Sequence, residues 1–84
     1  MKLSHLIHRY TDTARLDLSP NTIRDYTLTF KRLVDHLGDV EFSEIAATDI
    51  RGFLLHLTDE FELGKKSLGN AWIALSALWS WAAT

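Results

Sequence analysis

Four histidines are the first residues in this sequence whose chemistry invites a function. His5 and His8 stand one helical turn apart, with Asp12 a turn further on, a spacing that would let two imidazoles and a carboxylate approach one cation. No third ligand elsewhere in the pattern completes such a set, and a His pair on the solvent side of a terminal helix suits an ordinary surface equally well. His36 and His56 lie in separate segments. A Gly-rich phosphate loop, a serine at a strand-to-helix turn and paired carboxylates beside an apolar cleft are all missing. The chain also has no cysteine, which removes thiolate nucleophiles, thiolate metal sites and disulfides. The sequence therefore predicts no catalytic residue, no metal and no cofactor within these residues.

A different chemistry is carried by the segment that begins at Pro20. At 100° per residue, Arg24, Thr27 and Lys31 fall within about 60° of one another, with Asn21 and Leu28 beside them. Long cations pair with phosphates, while Asn and Thr bond phosphates or base edges. The same ridge would also serve as a plain solvated helix face, with Lys31 and Asp35 forming an i, i+4 pair. A second candidate is the run Gly64-Lys65-Lys66-Ser67-Leu68-Gly69-Asn70, where two cations directly precede a helix start. Positive side chains and free backbone N–H groups coincide there, which suits a phosphate, although a lysine-solubilised loop tip has the same composition. Trp72, Trp79 and Trp81 could stack on bases, but Trp72 and Trp79 share the apolar face and read as packing. Trp81 points elsewhere on the wheel, either as an exposed contact or as cover for one end of the fold.

The elements that must position these residues are all helical. Leu3, Leu6, Ile7, Tyr10 and Ala14 recur at helical spacing, and His5, His8, Arg9 and Asp12 occupy the other side. Ser19-Pro20 opens a second helix with a cap and a first-turn proline, and Ile23, Tyr26, Phe30, Leu33, Val34 and Leu37 form its stripe before Gly38 stops it. Asp39 to Ile45 reads as a connector with room for one helical turn. Thr48 is the predicted cap of a third helix that turns Ile50, Phe53, Leu54 and Leu57 inward and ends near Thr58. A polar bridge from Asp59 to Lys66 follows. The last helix, Ser67 to Ala83, carries no charge and is apolar nearly all round, the pattern of a buried helix, with Leu68, Ala71, Trp72, Leu75, Leu78, Trp79 and Ala82 on its wide face. No run alternates with period two for long enough to form a strand.

Composition bounds the rest. Eighty-four residues, 46% hydrophobic and 24% charged, suffice for one small domain and exclude a two-domain enzyme. The net charge of −2 excludes a uniformly basic coat, but its distribution is uneven. Residues 1–34 sum to +3, residues 35–64 to −7 and residues 65–84 to +2, so two basic segments bracket an acidic one. No apolar run approaches the roughly 20 residues of a membrane span, and the polar start is unlike a signal peptide. A reducing, cytoplasmic setting fits the absence of cysteine.

The order of residues then resembles a known family. Leu18-Ser19-Pro20-Asn21-Thr22-Ile23-Arg24-Asp25-Tyr26, continuing to Phe30, Leu33 and Leu37-Gly38, is similar to the first signature of the core-binding domain of tyrosine recombinases, the phage-integrase family. Phe42-Ser43-Glu44-Ile45 followed by Thr48-Asp49-Ile50-Arg51 resembles its second signature, and Ser76-Ala77-Leu78-Trp79-Ser80-Trp81-Ala82 its closing helix. The resemblance spans residues 3–83. It implies an all-α fold, a compact four-helix bundle of two crossed helical hairpins of the SAM-like integrase N-terminal type. It also implies a domain that clamps double-stranded DNA through its second and fourth helices, while a separate C-terminal catalytic domain cuts and rejoins the strands through a phosphotyrosine link. Thr22 and Arg24 of the first signature, and Lys66, Ser67 and Asn70 at the fourth helix start, become the implied DNA contacts. Asn21, Thr27, Lys31 and Lys65 join them from the wheel and the loop.

No His-x-x-Arg pair occurs, and Tyr10 and Tyr26 both fall on core faces, so residues 1–84 are expected to be a non-catalytic fragment of a longer recombinase. The isolated domain is expected to be monomeric, its protomers assembling on DNA, with no membrane partner. The rival reading is a helical protein-interaction module that docks through Leu55 and Trp81 and leaves the basic ridge merely solvated. A small hydrolytic or metal enzyme, the third reading, would retain metal after purification.

Overall fold

A computed structural model describes residues Met1–Thr84 as four helices. They are α1 (Leu3–Ala14), α2 (Pro20–Leu37), α3 (Ala47–Phe61) and α4 (Lys65–Ala83), with a short 3-10 turn at Phe42–Glu44. There is no strand, only an isolated antiparallel bridge between Lys2 and Glu41. The expected all-α, four-helix fold is therefore the observed one. No helix is long and apolar enough to cross a membrane.

Each boundary has a local cause. At the start of α2 the Ser19 Oγ accepts the Thr22 backbone N–H at 3.2 Å, and Pro20 occupies the first turn, where a missing N–H costs nothing. Gly38 ends the helix at φ +82°, ψ 171°, a region that only glycine visits without strain. The third helix begins earlier than expected. Thr48 is not its cap: Ala46 holds that position, and the Asp49 carboxylate reaches back to accept the Ala46 N–H at 2.8 Å. That is one half of a capping box, with the carboxylate also facing the positive end of the helix dipole. This helix also runs past Thr58 to Phe61 and stops at Glu62, which adopts the left-handed conformation (φ +52°, ψ +38°). Lys65 and Lys66, good helix formers, join α4, so the expected eight-residue bridge shrinks to Glu62-Leu63-Gly64.

Helix α1 has no side-chain cap of its own. Asp39, from the connector after α2, supplies it: its carboxylate accepts the Ser4 backbone N–H at 2.8 Å and the Ser4 hydroxyl at 2.7 Å. The adjoining backbone is pinned by Leu3 N–H to the Val40 carbonyl (2.8 Å) and Phe42 N–H to the Met1 carbonyl (2.9 Å). Glu41 accepts the Met1 ammonium at 2.7 Å. Three of the eight acids in the middle segment thus have structural work: Asp39 and Glu41 hold the N-terminus, and Asp49 caps α3.

Apart from the Tyr10 phenol, the core is wholly apolar. It joins Leu3, Leu6, Tyr10 and Ala14 of α1, Phe30 and Leu33 of α2, Phe53 and Leu57 of α3, and Ala71, Ala74, Leu75 and Leu78 of α4. Ile23, Tyr26 and Trp79 are half-buried at its edge. Helix α2 touches all three others and meets α4 most extensively.

One expectation for α4 fails, and one choice left open by the sequence is decided. Trp72, assigned to the core face, is 55% exposed, and neighbouring Ile73 is 54% exposed. Trp81, read as either an exposed contact or cover for one end of the fold, is half-buried with its ring 5.6 Å from that of Tyr10, as the second reading expects. A helix apolar on nearly every side gives the hydrophobic pattern no preferred face, so pattern alone does not set its rotation.

Candidate nucleic-acid interface

Helix α2 presents two polar flanks on opposite sides of its buried stripe. Arg24, Thr27 and Lys31 form one, and all three are exposed, as is Asn21 at its start. Thr22, Asp25, Thr29 and Arg32 form the other, within about 80° of each other on the wheel. This second flank faces α4. Between the two helices lies a groove of about 490 Å³ whose polar lining is Thr22, Asp25, Tyr26, Thr29 and Arg32 from α2 and Ser67 and Asn70 from α4. Leu57, Leu63 and Ala71 complete the lining, along with Leu28 and Ile73, two apolar side chains about half exposed.

Of the nine residues singled out from sequence, the groove brings together Thr22, Ser67 and Asn70. Asn21, Arg24, Thr27, Lys31, Lys65 and Lys66 stand outside it on exposed surface. Lys65 and Lys66 occupy the first turn of α4, where the capping position is Gly64 and no side chain satisfies the leading N–H groups. Asp25, Thr29 and Arg32 were missed by sequence reasoning. Their signal was present, since all three share a helix side with Thr22, but the other flank carried more cations and drew the assignment.

Chemically the groove is mixed. Its two charges, Asp25 and Arg32, oppose each other, and hydroxyls and an amide supply donors and acceptors around them. Such a lining suits a ligand edge bearing both donors and acceptors better than a bare polyanion. The exposed cations outside the groove suit phosphates. Arg32 makes no ion pair and no hydrogen bond with the protein; its guanidinium carbon lies 4.1 Å from the centre of the Phe61 ring.

The other chemistry-bearing residues do not assemble a second polar site. His8 reaches Asp12 at 3.4 Å on the surface of α1, and no group of three or more His, Asp or Glu side chains converges. His36 and His56 stack across α2 and α3 with ring centres 4.5 Å apart. Rings stacked at 28° direct their nitrogens along nearly parallel planes and cannot meet at one ion. Burial, followed by the neighbouring Tyr26, pushes the Tyr10 phenol above its usual range, the opposite of an activated nucleophile.

A further groove, of about 430 Å³, separates the start of α3 from the middle of α4 and is almost wholly apolar: Ile45, Ile50, Leu54, Trp72, Leu75 and Trp79 line it, with Arg51 its one charge. Leu55 is 60% exposed, whereas Trp81 is half-buried with its ring beside that of Tyr10.

Four helices in this arrangement, with a polar groove between the second and fourth, define a class of small helical domain. The model of the phage integrase N-terminal SAM-like domain matches residues 6–84, and the chain belongs to that family. No curated protein and no solved structure shows significant similarity to it.

Proposed function

We propose that this chain is the DNA-binding, core-binding domain of a site-specific tyrosine recombinase of the phage-integrase type. It clamps the recombination site during integration or recombination and is itself non-catalytic. The observation that carries this reading is the meeting of Thr22, Ser67 and Asn70 in one groove between the two helices that the family resemblance assigns to DNA. Exposed cations of α2 and of the α4 start lie outside that groove. In this mechanism Arg24, Lys31, Lys65 and Lys66 pair with backbone phosphates and set the domain's register, with Asn21 and Thr27 bonding alongside them. Thr22, Ser67 and Asn70 face the base edges. The cutting and rejoining belong to a catalytic domain of the same parent protein, and protomers meet on DNA in the cytoplasm.

Affinity for random duplex is expected on the order of 10⁻⁴ to 10⁻⁶ M at physiological salt, since few cations work against a net negative sum. Anisotropy titrations of labelled duplex across a salt series test it: binding must weaken steeply as salt rises. Absence of binding even at low salt contradicts the proposal.

The apolar α3/α4 groove, with Trp72 exposed beside it, favours a second reading, a module that binds protein. Self-association in ultracentrifugation that Leu55→Asp or Trp72→Ser abolishes, without any DNA binding, would support that reading instead.

A further inference from the structure

We propose that Arg32, held in place by the Phe61 ring, is the sequence-discriminating residue of this domain, a fork that reads the edge of a guanine in the DNA major groove. This rests on the DNA-binding reading above and adds to it a residue and a ligand edge.

Four observations lead there. Arg32 lines the polar groove between α2 and α4, whereas the other α2 cations near it, Arg24 and Lys31, lie on the opposite flank. Its side chain is half-buried, yet no carboxylate pairs with it and no carbonyl accepts from it. A guanidinium that has lost part of its water and gained no acceptor has donors left free. The Phe61 ring, 4.1 Å from the guanidinium carbon, attracts the cation through its face without using an N–H group as an acceptor would. Phe61 is itself 42% exposed at the last turn of α3, so the ring face and the guanidinium it holds are both reachable from solvent.

The neighbours indicate a base edge over a phosphate. Asp25 shares the groove and repels phosphate, while it accepts readily from an exocyclic amine. Leu28 and Ile73 offer apolar surface of the kind that meets a thymine methyl. A planar fork with two parallel donors matches the O6 and N7 acceptors of guanine, and a side chain already held by a ring loses less freedom on binding than a free one. Phe61 is on this account a positioning residue for Arg32.

Selection of duplexes from a random library, carried out with the 84-residue chain and its variants, tests the assignment. The unaltered chain is expected to enrich sites with one fixed guanine. Arg32→Ala and Arg32→Lys should both lose that preference by roughly five- to a hundredfold against the other bases, and the charge retained in Arg32→Lys should keep the salt slope of binding unchanged. Phe61→Leu, which keeps an apolar side chain, should lose part of the preference, with thermal unfolding confirming that each variant is folded. Arg24→Ala should weaken all sequences together. A guanine preference that survives Arg32→Ala overturns the inference and leaves the DNA-binding reading standing. So does an Arg32→Ala variant whose salt slope falls by about 0.9 with base preference intact, which marks a phosphate contact. Unselective binding by the unaltered chain also overturns it. A preference unaltered by Phe61→Leu removes the positioning role. Failure of the unaltered chain to bind any duplex at low salt overturns the underlying reading as well.

Discussion

Helix α4 borders two grooves of similar size and opposite character. Toward α2 it presents Ser67 and Asn70 to a lining of threonines, Asp25 and Arg32; toward α3 it presents Trp72, Leu75 and Trp79 to Ile45, Ile50 and Leu54. One helix, uncharged beyond its first turn, makes both, because its polar residues cluster near its start and its bulky ones follow. The difference teaches how a helix without a single strong amphipathic face comes to border two unlike surfaces. Its buried residues Ala71, Ala74, Leu75 and Leu78 mark the side packed into the core, and the two grooves open beside it.

The largest expected effect strikes both grooves at once. Phe30 is 1% exposed in the core on which the helices bordering both grooves pack, with its ring 6.1 Å from those of Tyr10 and Tyr26. Phe30→Ala should cost about 3–5 kcal/mol, enough to unfold a domain of ordinary marginal stability. Calorimetry or chemical denaturation measures it, and a cost near zero would show that the two grooves do not share a core.

A selective effect comes next. Lys31→Ala and Lys66→Ala should each flatten the slope of log affinity against log salt by roughly 0.9 on duplex DNA, while Trp72→Ser leaves it unchanged. Equal effects from the tryptophan and the lysines would erase the functional distinction between the grooves.

Smaller changes concern the joints that set the helices. Glu62 occupies a left-handed position where a Cβ is strained, so Glu62→Gly should stabilise the fold by about 1 kcal/mol, read as a rise in melting temperature. The smallest effect is the pH dependence at the N-terminus. The Ser4 N–H, and then its hydroxyl, hold the Asp39 carboxyl below the usual range, and the hydrogen bond from the Met1 ammonium does the same for Glu41. Both folded values are depressed, so their contribution is complete above the ordinary carboxylate range, near pH 4, and is lost as pH falls through the lower folded values. Melting temperature should therefore drop on acidification, and by less in Asp39→Asn, which no longer titrates.

The sequence made α1 and α2 legible because their apolar residues repeat cleanly at the helical period and Ser19, Pro20 and Gly38 punctuate the chain with strong local preferences. The start of α3 was less so. Thr48 and Asp49 are both capping types, and only the position of Ala46 decides that Asp49 reaches back. The cap of α1 was not readable, since Asp39 is thirty-five residues from Ser4 in the chain and is placed by the fold. Nor did pattern assign Trp72 and Trp81, for the reason that makes α4 two-sided. In the candidate interface, residue type identified the helices and the exposed cations, while the flank of α2 that meets α4 depended on helix rotation. Arg32 fell outside the reading on that account.

The central claim is that the α2/α4 side of the molecule meets DNA. Nuclear magnetic resonance titration of the labelled chain with duplex DNA tests it most directly. Shifts are expected to concentrate at Thr22, Thr29, Arg32, Ser67 and Asn70 and at the neighbouring cations Arg24, Lys31, Lys65 and Lys66, and to spare residues 39–55. Largest shifts at Ile45, Ile50 and Leu55, with the polar groove silent, would contradict the account.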